Sequence, residues 1–221
     1  MIGRTNACVM SDQSWANYVA VRNRTKTTIE AGDIDVRSFT GELSAAYMFY
    51  GVSTLTAVTL DFRNINGSNA MLNCFTLCTN LTSVRLNLAS VMDAIFSSVF
   101  NNCPSINQLT IDGLSDSVRW SSTSSTNNLF AASPALTTCQ NLTITCAILP
   151  NLYLAVMTSL NFTSVVQVLG KLFDYAGSTA HTITFNRSFT GLSQSDYNLI
   201  HAAVTTANAR NWAVAGLTYS M

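Results

Sequence analysis

The residues FTLCTNLTSVRL, at positions 75–86, carry the pattern that decides the fold. A phenylalanine is followed at three-residue intervals by a small residue and a leucine, and then valine and leucine alternate with polar residues. The same order occurs at residues 49–60 and at residues 100–111, and a fourth unit begins at Phe130. The phenylalanines that open the four units are 26, 25 and 30 residues apart, counted along the chain. A repeat of this period predicts a solenoid, in which successive units stack and bury a shared core.

Each unit is predicted to contain a tight turn followed by a strand of about five residues. Apolar and polar residues alternate in these strands, so one face points to the core and the other to solvent. Because the units repeat without a hairpin between them, their strands are predicted to lie side by side in a parallel sheet. The fold class is therefore an α/β repeat with a parallel sheet on one face, its strands centred on Thr59, Arg85, Thr110 and Thr143.

Three regions follow from this pattern. Residues 1–45 lack the repeat and are interpreted either as a cap over the open end of the solenoid or as an attachment arm. Residues 46–160 contain the repeats, interrupted by a low-complexity loop at residues 115–128. Trp120 in this loop either folds back on the core or is an exposed anchor for a partner. Residues 161–221 change character and are predicted to form a C-terminal cap of helix, strand, helix and strand.

Local signals place elements within the two flanking regions. Ser11 is a candidate N-cap for a short helix that runs to Val21. Residues 25–36 are predicted to be extended. In the C-terminal region, Ser193-x-x-Asp196 has the spacing of a helix start.

The composition argues against a nucleic-acid partner and against a membrane-spanning segment. Lys and Arg number 11, as do Asp and Glu, so the formal net charge is zero and a nucleic-acid partner has little support. Only 10% of the residues are charged, and Thr, Ser and Asn fill the polar positions, which suits ladders of stacked strands. Residues 1–10 lack the apolar segment of a secretory signal, and no stretch approaches the 18 or so apolar residues that would span a membrane.

The chain has six cysteines, and two of them, Cys78 and Cys103, occupy the same slot of successive units. Val52 and Ser133 are assigned to that slot in the first and fourth units. A slot that accepts valine, cysteine or serine is a small packing position, so these two residues are predicted to be free thiols in the core. The chain has only two histidines, neither at a ligand spacing from a cysteine, and no metal site is predicted.

Candidate ligand-binding residues occupy the outward positions of the predicted strands. Arg85 lies between Asp61 and Asp112 and predicts a small polar patch that suits a glycan or a peptide. The alternative is a solvated strand face with a local ion pair. The candidate residues are Thr59, Asp61, Arg85, Asn87, Gln108, Thr110, Asp112 and Thr143.

No catalytic residue and no cofactor are assigned. A nucleophile elbow, a phosphate-binding loop, a dinucleotide fingerprint and a calcium loop are all missing from the sequence. His181 and His201 are interpreted as structural or surface residues. Asp61 and Asp112 lie two strands and therefore about 10 Å apart, at the upper edge of the spacing used by inverting glycosidases, which leaves a hydrolase as the last alternative.

The unit Phe-x-x-Cys-x-x-Leu-x-x-Val-x-Leu, present at residues 75–86 and again with isoleucine at residues 100–111, resembles the BspA-type leucine-rich repeat. The similarity extends over about residues 46–215. Val52 replaces the cysteine in the first unit, and Asp61 and Asp112 stand where the family often has a proline. The resemblance implies a leucine-rich-repeat solenoid and a non-enzymatic interaction protein.

Members of this family resemble surface proteins of bacteria and some protists, and related repeats occur in bacteriophage virions. The first functional hypothesis is therefore a structural and recognition module displayed on a particle, such as a phage virion or tail-fibre-like component, that binds a protein or glycan on a host surface. Other structural proteins of the particle are expected partners, and membrane insertion is not expected. A bacterial cell-surface adhesin and an intracellular protein–protein scaffold are the alternatives. A homo-oligomer is compatible with each hypothesis, although no heptad pattern specifies one.

Overall fold

The computed structural model describes residues 12–34, 45–66, 71, 73–92, 99–114, 134–148 and 151–221. Within these ranges the chain is an α/β protein with two parallel sheets and three α-helices, α1 (Asp12–Arg22), α2 (Phe162–Gly170) and α3 (Gln194–Ala209). None of these helices has both the length and the apolar character needed to cross a membrane. The predicted α/β class and the parallel sheet are confirmed.

The larger sheet contains five parallel strands in the order in which they occur along the chain. They are β1 (Thr28–Ile29), β2 (Ala57–Asn66), β3 (Ser83–Met92), β4 (Gln108–Leu114) and β5 (Asn141–Ile144). The alternation of apolar and polar residues in the strands determines which face of the sheet is buried. Val58, Val84, Leu109 and Leu142 lie in one register row and are all buried.

The repeated phenylalanines stack on one another in the hydrophobic core. Phe49 and Phe75 have ring centroids 5.3 Å apart, and Phe75 and Phe100 have centroids 5.7 Å apart, with interplanar angles of 8° and 11°. All three rings are fully buried. The backbone repeats as well, since the second residue after each phenylalanine has a positive φ whether it is Gly51, Leu77 or Asn102.

The fourth unit differs from its predicted alignment. Leu142 pairs with Leu109, and the N–H of Gln140 donates to Asn107 O as that of Asn107 does to Thr82 O in the unit before. Because Leu142 aligns with Leu109, the residues that precede it align in the same way. Leu136 therefore takes the position of Cys103, and Cys139 takes the position of Ile106. The sequence predicts Ser133, three residues earlier than Leu136, in the cysteine slot. A 3₁₀ helix at Pro134–Thr138 forms the turn here, and Ser133 lies outside the described residues.

A second sheet follows, in the order β6 (Leu152–Tyr153), β7 (His181–Phe189) and β8 (Trp212–Tyr219). Helix α2 lies along the edge of β5, where side chains rather than another strand bond the backbone. Ser164 Oγ accepts from the N–H of Leu142 at 3.0 Å, and the Gln167 side-chain amide accepts from Ile144 N and donates to Ile144 O. The first sheet ends at β5 because side chains of the helix form the hydrogen bonds that another strand would otherwise make with the backbone at this edge.

The N-terminal elements agree in part with prediction. Helix α1 forms as expected, and the buried ring of Tyr18 lies 6.1 Å from that of Phe49. The predicted extended segment over residues 25–36 holds only at Thr28–Ile29 among the described residues, since the chain turns directly afterwards. Asp33 Oδ2 accepts a hydrogen bond from the N–H of Glu30 at 2.8 Å, and this local bond favours a turn over a strand.

The C-terminal elements follow the predicted order of helix, strand, helix and strand. Ser193 is the N-cap of α3, as predicted, and its side chain accepts from the N–H of Asp196. Two large apolar residues of this region are exposed. Phe173 lies beyond the end of α2 and is 43% exposed, and Leu199 on α3 is 51% exposed.

The predicted core thiols are confirmed. Cys78 and Cys103 are buried and free, and they play the same part in successive units. The thiol of Cys78 donates to Phe49 O at 3.1 Å, and that of Cys103 donates to Phe75 O at 2.9 Å. Each cysteine thus bonds the phenylalanine backbone of the preceding unit, whereas Val52 in the first unit and Leu136 in the fourth fill the same slot with an aliphatic side chain.

These thiols predict a loss of stability in alkali. Burial raises the pKa of Cys78 and of Cys139 to about 12 and that of Cys103 to about 11, whereas an unfolded thiol ionises near pH 8.5. The folded chain therefore holds its protons more tightly, and the resulting stabilisation is complete below about pH 8.5 and is lost as the pH rises toward 11–12. We expect the free energy of unfolding in urea to fall more steeply between pH 8 and pH 10.5 for the wild type than for Cys78→Ala. Parallel pH profiles for the two proteins would contradict this explanation.

Candidate ligand-binding site

Two rows of side chains cross the outward face of the five-stranded sheet. Register pairs Asp61 with Asn87 and Asn87 with Asp112, which places these three residues side by side on β2, β3 and β4. The neighbouring row joins Thr59, Arg85, Thr110 and Thr143 in the same manner. Because adjacent strands lie about 4.8 Å apart, Asp61 and Asp112 are separated by roughly 10 Å across Asn87.

Arg85 is paired with Asp112 rather than standing free between the two aspartates. Its Nε donates to Asp112 Oδ2, and its Nη2 donates to Asp112 Oδ1 at 3.1 Å. The same Oδ1 accepts from Thr145 Oγ1 at 2.9 Å. The bonds and the charge of Asp112 raise the pKa of the Arg85 guanidinium, whose side chain remains 57% exposed. The pair is therefore an ordered feature of the sheet surface that solvent screens.

The turn after β1 forms a second wall beside these rows. Asp33 holds the turn in place, since its Oδ2 accepts from the N–H of Glu30 and lies 2.9 Å from Lys26 Nζ. The side-chain amide of Asn17 on α1 donates to Asp33 O at 2.8 Å. Burial raises the pKa of Asp33, but the bond from Glu30 and the pairing with Lys26 outweigh it, so this pKa lies below its usual value. The wall is thus fixed to helix α1 and to the residues on either side of β1.

The sheet face and the turn enclose a cleft of about 860 Å³. Strands β2, β3 and β4 supply one side through Thr59, Leu60, Asp61, Arg85, Asn87 and Asp112. Helix α1 and the turn supply the other side through Ser14, Glu30, Ala31, Gly32 and Ile34. A cleft of this volume is within the size range of sites that bind small molecules.

The structure brings five of the eight predicted site residues into this cleft, namely Thr59, Asp61, Arg85, Asn87 and Asp112. The other three lie on the same sheet face outside the cleft lining. Gln108 and Thr143 are exposed, Thr110 is half-buried, and Gln108 Oε1 accepts from Ser83 Oγ at 3.4 Å. Trp120, the predicted anchor, lies outside the described residues.

The residues from α1 and the turn were not found by sequence reasoning. Residues 1–45 lack the repeat, and nothing in a repeat pattern shows that they contact its polar face. The signal that was available is the run Glu30-Ala31-Gly32-Asp33, because Gly followed by Asp is typical of a turn and argues against an extended segment. A turn here would have returned the chain to the sheet.

The Asp112 carboxylate is held in place by its neighbours on the sheet face. Both carboxylate oxygens of Asp112 accept bonds from Arg85 or Thr145, an arrangement typical of a structural carboxylate. Within the described ranges, no three His, Cys, Asp or Glu residues come together as a metal-binding group. The cleft thus presents hydrogen-bonding and charged groups to a ligand.

Comparison of the chain with protein-family models, with curated proteins and with solved structures gives no match. The similarity to BspA-type repeats therefore rests on the spacing of the quoted residues.

Proposed function

We propose that this chain is a non-enzymatic recognition module that binds a ligand in the cleft between the sheet face and the turn after β1. The observation that carries the proposal is the alignment of Asp61, Asn87 and Asp112 in one row at the floor of a two-walled cleft. Polar side chains in neighbouring strands present hydrogen-bonding groups at fixed spacing, which is what a binding surface requires. The bonds that hold Asp33 fix the second wall before a ligand arrives, and this preorganisation favours binding.

The repeats are proposed to form a leucine-rich-repeat solenoid of BspA type. The stacked rings of Phe49, Phe75 and Phe100 support this, as do the equivalent thiol bonds of Cys78 and Cys103. Stacked repeats display one residue per unit at regular spacing, and such faces commonly serve as binding surfaces.

We place the module on the surface of a particle, as a virion or tail-fibre-like component that contacts a host surface. The low charge content and the similarity to repeats of phage and bacterial surface proteins support this location. Peptide mass spectrometry of purified particles and of the cell-envelope fraction of the source tests it. Recovery in stoichiometric amounts from particles is expected, recovery only from the envelope would favour a bacterial adhesin, and recovery only from the cytosol would favour an intracellular scaffold.

Filling the cleft with a large side chain tests whether the ligand binds there. Thr59 and Thr143 share one row of the sheet, but only Thr59 lines the cleft. We expect Thr59→Trp to weaken binding to glycan and peptide arrays at least about tenfold, whereas Thr143→Trp keeps wild-type binding. Equal losses in both variants would place binding along the whole face, and unchanged binding in Thr59→Trp would exclude the cleft.

A further inference from the structure

Two exposed tyrosines lie side by side on the surface of the first repeat unit. Tyr47 is 49% exposed and Tyr50 is 40% exposed, and their ring centroids lie 5.7 Å apart at an interplanar angle of 55°. Neither residue lines the cleft. Single exposed apolar residues are ordinary, whereas adjoining aromatic rings form a contiguous patch of the kind that contacts ligands.

The second unit makes the same turn without these rings. Tyr47 corresponds to Asn73 when both are counted from the phenylalanine that opens the unit, and Tyr50 corresponds in the same way to Thr76. The N–H of Tyr50 donates to Tyr47 O at 3.2 Å, and the N–H of Thr76 donates to Asn73 O at the same distance. The side chains of the second unit form a hydrogen bond instead, from Thr76 Oγ1 to Asn73 Oδ1 at 3.1 Å.

Tyr47 holds a backbone conformation that suits asparagine better than tyrosine. Its φ is 59°, in the left-handed region, and that of Asn73 is 53°. Asparagine tolerates this region, whereas a bulky aromatic residue is strained there. The exposed ring of Tyr47 is not packed in the core, where burial would offset this strain. Strain at an exposed residue is typical of ligand-binding positions.

A guanidinium lies beside the tyrosine pair. Arg22, in the last turn of α1, is exposed, and its Nη1 donates to Tyr50 O at 2.7 Å. This bond uses one of the five N–H groups of the guanidinium. Neither salt bridge found among the described residues includes Arg22. The surface thus combines two aromatic rings with a cation that no described carboxylate neutralises.

We propose that Tyr47, Tyr50 and Arg22 bind a carboxylate-bearing sugar, such as a uronic acid residue of a glycan. The C–H groups on one face of a pyranose ring carry partial positive charge and pack on the electron-rich face of an aromatic ring. The remaining N–H groups of Arg22 suit a carboxylate, which a guanidinium binds through paired hydrogen bonds. A sugar with both features contacts all three side chains at once. This site is separate from the cleft and does not depend on it.

The test is a titration of the full chain, labelled with ¹⁵N, with methyl glucuronide. This sugar is expected to shift the amide signals of residues 47–51 and the side-chain Nε–H signal of Arg22. Methyl glucoside, which lacks the carboxylate, is expected to bind at least about threefold more weakly. Acetate, which lacks the ring, is expected to leave the signals of residues 47–51 unchanged.

The second unit supplies matched variants. Tyr47→Asn and Tyr50→Thr introduce the side chains that the next unit has in the same slots, and each is expected to weaken glucuronide binding about tenfold. Tyr47→Asn is also expected to raise the urea midpoint of unfolding, because asparagine suits a positive φ. A ring that served only to stabilise the fold would lower the midpoint when it is removed.

A third variant tests the charge. Arg22→Gln is expected to lower glucuronide binding to about the level of the glucoside. Arg24→Gln removes the same charge at another exposed position of this segment and is expected to keep the glucuronide affinity within about twofold. The dispersion of the amide spectrum checks that each variant is folded.

Three results would overturn the proposal. They are no shift at residues 47–51 with the glucuronide, wild-type affinity in both Tyr47→Asn and Tyr50→Thr, and tighter binding of acetylated hexaproline than of either sugar. The last result would assign the rings to a proline-rich segment of a protein.

Thr59→Trp separates this site from the cleft. Loss of glucuronide binding in Thr59→Trp but not in Tyr47→Asn would place the sugar in the cleft, so this inference would fall while the proposed function stands. Glucuronide binding that is lost in Tyr47→Asn and kept in Thr59→Trp supports the tyrosine site, whatever the outcome of the array experiment.

Discussion

Phe75→Ala is expected to lower the free energy of unfolding by about 3–5 kcal/mol. The ring is fully buried and lies between two others, with centroids 5.3 Å from Phe49 and 5.7 Å from Phe100. Truncation removes the apolar surface of the ring, leaves a cavity in a tightly packed stack, and breaks ring contacts worth about 0.5–1.5 kcal/mol each. Urea unfolding followed by circular dichroism measures the change as a lower midpoint at constant slope.

Phe75→Leu is the matched control for this experiment. Leucine keeps much of the volume and the apolar character but removes the flat ring, so a loss roughly half that of the alanine variant is expected. A loss below about 1 kcal/mol for Phe75→Ala would mean that the ring is not part of a packed stack, and the repeat register would then be wrong.

The sequence predicts the parts of the fold that repeat. Each unit makes the same contacts with its neighbour, so one pattern, read several times, identifies the core positions and the strand order together. The alternation of apolar and polar residues therefore predicts that Val58, Val84 and Leu109 share one buried row, and the structure has them there. The shift of Leu136 and Cys139 in the fourth unit escaped prediction because its long insertion removes the constant spacing on which the argument depends.

The parts that do not repeat depend on contacts between residues far apart in the chain. The end of the first sheet at β5 is made by Ser164 and Gln167, whose side chains bond the backbone of Leu142 and Ile144 about 22 residues earlier. Nothing in the helical periodicity of α2 distinguishes a helix that covers a strand edge from one that packs on a sheet face. For this reason the sequence predicts a cap of helix, strand, helix and strand, but it does not predict that the strands of this cap form a separate sheet.

The candidate site also has one part that follows from the repeat and one part that does not. The Asp61, Asn87 and Asp112 row follows from the register, and the register follows from the repeat. The position of Glu30 opposite this row follows from hydrogen bonds of Asp33 with Glu30 and Asn17, which are particular to one turn. Sequence reasoning therefore found the floor of the cleft and missed its wall.

Gly216→Ala is expected to destabilise the chain by about 3–5 kcal/mol, for a reason that only the structure shows. Between the pairs Thr184–Ala215 and Arg187–Leu217, strand β7 has two residues where β8 has Gly216 alone, so the ladder contains a bulge. A Cβ on Gly216 would lie 2.0 Å from the carbonyl oxygen of Phe185, a backbone atom that cannot rotate away, and Gly216 also has φ of 66°. Displacing Phe185, which is buried, would disturb the core beneath the second sheet.

Gly191→Ala separates the two causes of this loss. Gly191 has nearly the same φ, 67°, but an added Cβ would meet nothing within 4 Å. Its variant therefore retains the backbone strain of about 1–2 kcal/mol without the collision. Urea unfolding of both variants is expected to show a larger loss for Gly216→Ala by at least about 2 kcal/mol, which is the cost of pushing β7 and β8 apart. Losses within about 0.5 kcal/mol of each other would show that strand β8 yields at the bulge, and that the close approach of Gly216 to Phe185 does not constrain the sheet.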